Sequence, residues 1–493
     1  MKKGNKMLLF DFTNFALNPH AQKPKDMTEE TPTNSENIHF KNCLERFEKM
    51  LRKNERYFFD TSDFEDLLNH YISTNDNGKA LKVASCAIDQ HPYSVLFIIR
   101  KAQLLSASNQ QDKALAVISK AESLDPSNTE LYITKGSIYS QMGLYNKSIE
   151  CYNDAIKKAD DPDDIYLCIA FEYENMSDYY TAIRYLKKAL QINPENEAAI
   201  YEMAFCHEMQ STHEDAVNDF NAFLEEHPYS ESGWYNLGLS YAKLDQDEKA
   251  IQAFDYAIAI NDKFASAYFN KANSFANLER YREAIPVYEE TFKCEQPDST
   301  AHYYIGECYE SLGEDDNALR HYKMALKIDP EYPDALFGMA MVLERKGMDF
   351  ESSGYIKKAI SFDEANADFW HFYGDLLLKT GFVPDAEFAY AKTVTLSPEN
   401  VDAWVDLAHL RFQQESHIAG FETVAEGIKI NPGAVELYFK MAAILLAMGK
   451  QNDAMEVLRT AMEIDATRFQ LLFDFYPEAA QVSAVIDLIE AYK

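Results

Sequence analysis

The chain has 493 residues, with 47 Lys and Arg against 80 Asp and Glu, a formal net charge of −33. Apolar residues make up 47% of it, enough for a large core, so a wholly disordered chain is excluded. Only 17 Gly and 16 Pro argue against an all-β protein built on tight turns, and the acidity argues against a sequence-independent nucleic-acid binder, which needs Lys and Arg on phosphates.

At the N-terminus, Lys2, Lys3 and Lys6 precede the apolar run from Met7 to Phe10 and mimic the start of a secretion signal. Asp11 and Asn14 break that run almost at once, so the cytoplasm is the expected location. Pro, Thr, Asn and Glu cluster at 29–37, and residues 1–35 are expected to be flexible; Met27 is an alternative start. Over 36–60, Phe40, Leu44, Phe47 and Leu51 are spaced 4, 3, 4, which predicts an amphipathic helix capping the open end of the segment that begins at Thr61.

From Thr61 to Arg468 the chain is one unit repeated: twelve blocks of 34 residues fit without a gap. Position 4 of the block carries every tryptophan, Trp234, Trp370 and Trp404, and elsewhere residues such as Tyr132, Tyr166, Tyr268 and Tyr438. Position 8 is Gly or Ala in all blocks but the first, which has Leu68. Positions 4, 7, 8 and 11 have the spacing of one helix face, and positions 20, 24, 27 and 28 mark a second. A turn lies between them, often with Gly at position 15, and Pro at position 32 closes the second helix. A helix pair of this size cannot bury its apolar faces alone, so neighbouring pairs supply the core. Block three ends in Asp160-Asp161-Pro162, block seven has Thr291 and Gln296 at positions 27 and 32, and block eleven has Arg411, Gly420 and Gly427 at positions 11, 20 and 27. Looser contacts are expected at all three, and block eleven is expected to be the weak point or hinge. In residues 469–493, Val485, Ile486, Leu488, Ile489 and Tyr492 predict a C-terminal capping helix.

The seven cysteines include no CxxC pair, which suits free thiols in a reducing compartment, and Cys168 and Cys206 are expected as small core residues. No phosphate-binding loop, dinucleotide fingerprint or HExxH is present. Lys379-Thr380-Gly381 sits in an ordinary inter-helix turn, and Asp160 to Asp164 lacks the spaced ligands of a calcium loop. His302 and His371 are read as packing or groove-side residues rather than ligands. No catalytic residue, cofactor or metal is expected, and the chain is not read as an enzyme.

The pattern W-x2-L-G-x2-Y…A-x3-F/Y…A-x4-P resembles the tetratricopeptide repeat. Block six carries it best, in Trp234, Leu237, Gly238, Tyr241, Ala250, Phe254 and Ala257, with Asp262 in place of the final Pro. The resemblance implies an all-α fold, a right-handed α-solenoid or superhelix of helix-turn-helix units with terminal capping helices. It also implies a concave groove lined by positions 2, 5, 6, 9, 12 and 13 of the first helices. Tyr201, Tyr235, Phe269, Tyr303 and Phe337 share position 5 of five consecutive blocks and are expected to form an aromatic stripe. Asn236 and Asn270 at position 6 are candidates for hydrogen bonds to a peptide backbone, and Glu307 belongs to the acidic residues around the stripe. The Lys/Arg/Asn clamp that some family members use on a carboxylate terminus is missing. The function expected is a protein–protein interaction scaffold or adaptor binding apolar-basic polypeptide segments, without nucleic acid or membrane insertion. The rival reading is a self-assembly module that homo-oligomerises through end or convex surfaces.

Overall fold

The computed structural model describes residues 34–53, 55–414 and 416–492; most of the N-terminal segment expected to be flexible lies outside these. The fold is all-α, with no strand among the described residues. It divides into two compact units, one ending at Leu278 and one starting at Glu279.

Counted from Thr61 in 34-residue repeats, the first helix of a repeat occupies positions 1–13 and the second begins at position 17, as in repeat 6 (Glu231–Lys243 and Asp247–Ile260). The start of the first helix is often capped by an Asn at position 34 of the preceding repeat. Asn128, Asn196 and Asn400 accept from the backbone N–H of Leu131, Ala199 and Ala403 at 3.1, 3.1 and 3.2 Å. The first helix ends by a fixed rule: the N–H of position 16 donates to the carbonyl of position 11, as in Leu144 to Tyr139 (2.9 Å) and Lys450 to Leu445 (2.9 Å). That closure needs a left-handed residue at position 15. Gly143, Gly313, Gly347, Gly381 and Gly449 supply it, and so do Asn75, Asn109, Ser177, Ser211, Asp245 and Glu279, all at positive φ.

Position 4 has a structural role beyond bulk. The Trp234, Trp370 and Trp404 indoles donate to the carbonyls of Pro228, Glu364 and Pro398 at 2.8–2.9 Å, and the Tyr132 and Tyr438 hydroxyls donate to Pro126 and Pro432 at 3.1 Å. Each bond ties a first helix to position 32 of the repeat before it. Positions 8 and 24 face each other. A Cβ on Gly136, Gly238, Gly306 or Gly374 would lie 2.5–2.7 Å from the ring of Tyr152, Phe254, Tyr322 or Tyr390. In repeat 1 the sizes are exchanged: Leu68 at position 8 shares its core cluster with Ala84 at position 24. Leu68 is thus explained by its own hairpin.

In the first unit, a helix spanning Asn34–Lys53 covers repeat 1. Its buried line is Cys43 and Phe47, with Phe40, Leu44 and Leu51 half-buried beside them. In the second unit, the terminal helix Ser483–Tyr492 buries Val485 and Ile489.

Repeat 11 differs from the expectation of looseness. A Cβ on Gly427 would sit 3.1 Å from the Trp404 ring, and one on Gly420 3.2 Å from the Ala408 carbonyl. Arg411 is fixed by Glu387 (2.8 Å) and Thr423 (2.7 Å). The glycines are there because the two helices approach closely. In repeat 7, Thr291 is buried and its hydroxyl donates to the Tyr288 carbonyl at 2.7 Å. In repeat 3 the second helix is short (Tyr145–Ile156), and the following helix still starts in phase at Asp163.

Candidate functional site

Within the first unit, the first helices of repeats 4 to 7 (Asp163–Asn175, Glu197–Gln210, Glu231–Lys243 and Ala265–Asn277) carry the position-5 and position-6 residues. Tyr201 is half-buried, whereas Tyr235 and Phe269 are buried. Tyr235 packs on Phe254 (5.9 Å between ring centroids) and on Phe264 (4.8 Å), the latter at position 34 of the same repeat. Asn236 and Asn270 are buried too. Their carboxamide nitrogens donate back to the Ser232 and Ser266 carbonyls at 2.8 and 2.9 Å, and Asn270 also meets the Tyr235 hydroxyl at 3.1 Å. Their Oδ1 atoms are enclosed without a hydrogen-bond partner among the described residues.

Next to Tyr201 in the chain stands Glu202. Glu174 and Glu202 are half-buried on adjacent first helices. The Cys206 thiol donates to Glu174 Oε1 at 3.3 Å, which leaves Cys206 buried, as expected, but not purely apolar in its contacts. Burial pushes the Glu174 carboxyl up to about 8, with the Glu202 charge adding to the effect. Burial alone pushes Glu202 up to about 7. Lys243, at the end of the next first helix, is already paired with Glu208 at 2.6 Å. Two carboxyl groups therefore share a partly dry place, and neither makes an ion pair among the described residues.

Within the second unit, Tyr303 is half-buried and donates to Glu307 Oε1 at 2.7 Å; its ring lies 5.2 Å from that of Tyr332, again at position 34. Burial lifts Glu307 to about 7 in spite of that hydrogen bond. Glu310 accepts from the Tyr322 hydroxyl (2.7 Å) and pairs with Arg345 (3.4 Å). Phe337 lies between Phe369 (4.9 Å) and Phe372 (5.4 Å). The position-5 aromatics are thus inter-helix packing residues first. For Tyr235 and Tyr303 the aromatic at position 34 of the same repeat was the signal in the sequence that a second ring would pack on them.

Sequence reasoning missed a polar cluster in the second unit. His371 pairs with Asp406 at 3.0 Å, Asp375 accepts from the Tyr390 hydroxyl at 2.7 Å, and ligand atoms of His371, Asp375 and Asp406 lie within 4.8 Å of one another, close enough to hold a metal ion. Burial pushes the His371 imidazole down, but the Asp406 hydrogen bond and the Asp375 charge outweigh it and hold the proton above its ordinary range. Next to this cluster, Lys440 is fully buried, with its Nζ 2.6 Å from His409 Nδ1 and 4.1 Å from the Phe475 ring centroid. Burial pushes that amine down to about 7. These residues occupy positions 5, 6 and 9 of three consecutive first helices, so the repeat numbering placed them on one face; what it did not give was which of them touch. His302 is buried beside His321 (Nδ1 to Nδ1, 3.4 Å), a packing role.

No helix of the described residues is long and apolar enough to cross a membrane. Models of the tetratricopeptide repeat match residues 129–158, 164–196, 232–264, 269–333 and 435–468. No curated protein sequence matches the chain. Among solved structures, the chain is similar to the Cut9–Hcn1 hetero-tetramer of the APC/C, with 15% identity over 83% of this chain and 94% of that one and a TM-score of 0.40. It is similar to yeast Tom70, with 15% identity over 87% and 94% and a TM-score of 0.40. It is also similar to YrrB, described as a TPR protein with an unusual peptide-binding site, with 21% identity over 37% and 95% and a TM-score of 0.32.

Proposed function

We propose, from the premise that the chain is a tetratricopeptide-repeat protein, that it is a non-enzymatic scaffold whose first helices bind apolar-basic polypeptide segments of other proteins. The observation that carries this reading is the pair Glu174 and Glu202, the latter next to Tyr201 in the chain: two half-buried carboxyl groups lifted by burial and without an ion pair among the described residues. A Lys or Arg side chain supplies the missing charge, and Tyr201 offers an aromatic face to the apolar residues flanking it. In the second unit, Tyr303 and Glu307 offer the same pairing of chemistries. Tyr235, Phe269 and Phe337 hold the first helices in place, and Asn236 and Asn270 reach a ligand only if their neighbours shift. Seven free thiols suit a cytoplasmic scaffold.

The test is a titration of two synthetic peptides, one apolar-basic and one ending in an acidic tail, at low and high salt. The apolar-basic peptide is expected to bind more tightly, to weaken with salt, and to lose about tenfold on Glu202→Gln, the value of one charge-assisted contact. Preference for the acidic tail ends this reading.

A further inference from the structure

A second surface of the second unit is carried by second helices rather than first helices. Repeats 9, 10 and 11 carry Met348, Phe350, Phe382, Pro384 and Ile418 at positions 16 and 18, where each second helix begins. Phe350 is 89% exposed, Ile418 65% and Phe382 58%, with Pro384 exposed and Met348 39% exposed. Phe388, one turn after Pro384, is 56% exposed and meets Trp370 in an edge-to-face contact at 5.8 Å. The repeats on either side have Glu314 and Asp316, and Lys450 and Asn452, at the same two positions. Stacked second helices place equivalent residues about 10 Å apart, so three repeats make one apolar ridge. Scattered exposed apolar residues are ordinary, but a run confined to one register of three consecutive repeats is a patch.

The chemistry of the occupant follows from the charges along the ridge. Glu351, Asp385 and Glu422 are exposed, one in each repeat, and none makes an ion pair among the described residues. The bases just before the second helices of repeats 9 and 10 are used: Lys346 pairs with Asp316 and Lys379 with Glu344 and Asp349. Lys392 lies 5.8 Å from the Phe388 ring centroid and pairs with Glu364, and the exposed Lys357, Lys358 and Lys429 stand one to two turns further along their helices. A second copy of this chain, with a net charge of −33, would bring carboxylates against carboxylates. An anionic membrane would meet the same repulsion. We infer that the ridge of Met348, Phe350, Phe382, Pro384, Phe388 and Ile418 docks an amphipathic helix of another protein, one with apolar residues on one side and Lys or Arg at their margin. Large side chains would lie between repeats, and the basic residues would meet Glu351, Asp385 and Glu422.

The test is selection from a phage-displayed library of random 16-residue peptides on the purified full-length chain. The selected peptides are then measured against three variants. Enriched sequences are expected to combine Leu, Ile or Phe with Lys or Arg at helical spacing. They are expected to bind at least tenfold more weakly to the Phe350→Ser, Phe382→Ser double variant, whose substituted side chains are exposed and not needed for packing. A Glu351→Lys, Asp385→Lys variant is expected to weaken them and to flatten their salt dependence. The Tyr201→Ala, Glu202→Gln variant is expected to leave them unchanged, which separates the ridge from the site proposed above. The inference is overturned by four results: no enrichment, acidic consensus sequences, binding that survives the ridge variants, or a concentration-dependent dimer in sedimentation that the Phe350→Ser, Phe382→Ser variant abolishes.

Discussion

At the scale of single residues, two positions carry most of the repeat's geometry. Position 15 must be left-handed, and six non-glycine residues hold that conformation at a cost of about 1 kcal/mol each. Ser177→Gly is therefore expected to stabilise the protein by about 0.5–1 kcal/mol in urea denaturation, whereas Gly313→Ala is expected to destabilise it by about 1 kcal/mol. Position 8 must be small wherever position 24 is an aromatic ring pressed onto it. Gly238→Ala puts a methyl 2.6 Å from the Phe254 ring, and a loss of about 1–3 kcal/mol is expected despite the better helix propensity of Ala. The carboxyl pair adds a pH effect. Glu174 and Glu202 have folded values of about 8 and about 7, above the ordinary carboxylate range, so the folded chain holds protons that the unfolded chain has lost. Stability then falls as pH rises through that range. The melting temperature is expected to drop by about 2 °C or more between pH 5.5 and pH 8.5, and the drop is expected to shrink in the Glu174→Gln, Glu202→Gln variant.

Helices and their pairing were legible in the sequence because every repeat reports the same two faces. What was not legible was depth. Tyr235 shares a register with half-buried Tyr201, yet Phe264 covers it from the end of its own repeat. Periodicity assigns a face but not what lies on it. The same limit explains repeat 11. Read as helix breakers, Gly420 and Gly427 suggested a hinge; in three dimensions they make room for the Ala408 carbonyl and Trp404. The two views differ in sign for one substitution. A loose helix gains about 1 kcal/mol from Gly427→Ala, whereas the close packing of Trp404 calls for a loss of about 1 kcal/mol or more. Hydrogen exchange of the helix His417–Ile430 reads the outcome directly, with faster exchange expected in the variant.

For the whole molecule, charge is the dominant variable. A chain carrying −33 repels itself, and added salt is expected to raise its melting temperature as screening shortens the range of that repulsion. The same salt is expected to weaken a basic ligand, so stability and binding should move in opposite directions. The all-α architecture could be read from the 34-residue period and its two helix faces, and the resemblance to the repeat family from the residues that recur at positions 4, 8, 20 and 27. Which members of the polar cluster of His371, Asp375, Asp406, His409 and Lys440 touch could not be read, because the cluster is assembled from one or two residues on each of three helices.

On the proposed function, carboxyl groups that make no ion pair among the described residues wait on the first helices for a cation from another polypeptide. Calorimetric titration of the apolar-basic peptide near pH 7, in two buffers of different ionisation enthalpy, counts the protons exchanged on binding. Net proton release is expected, because a bound Lys or Arg forces Glu174 and Glu202 to ionise, and the release is expected to disappear in the Glu174→Gln, Glu202→Gln variant. Binding without proton release, or with proton uptake, would rule out that role for the two carboxyl groups.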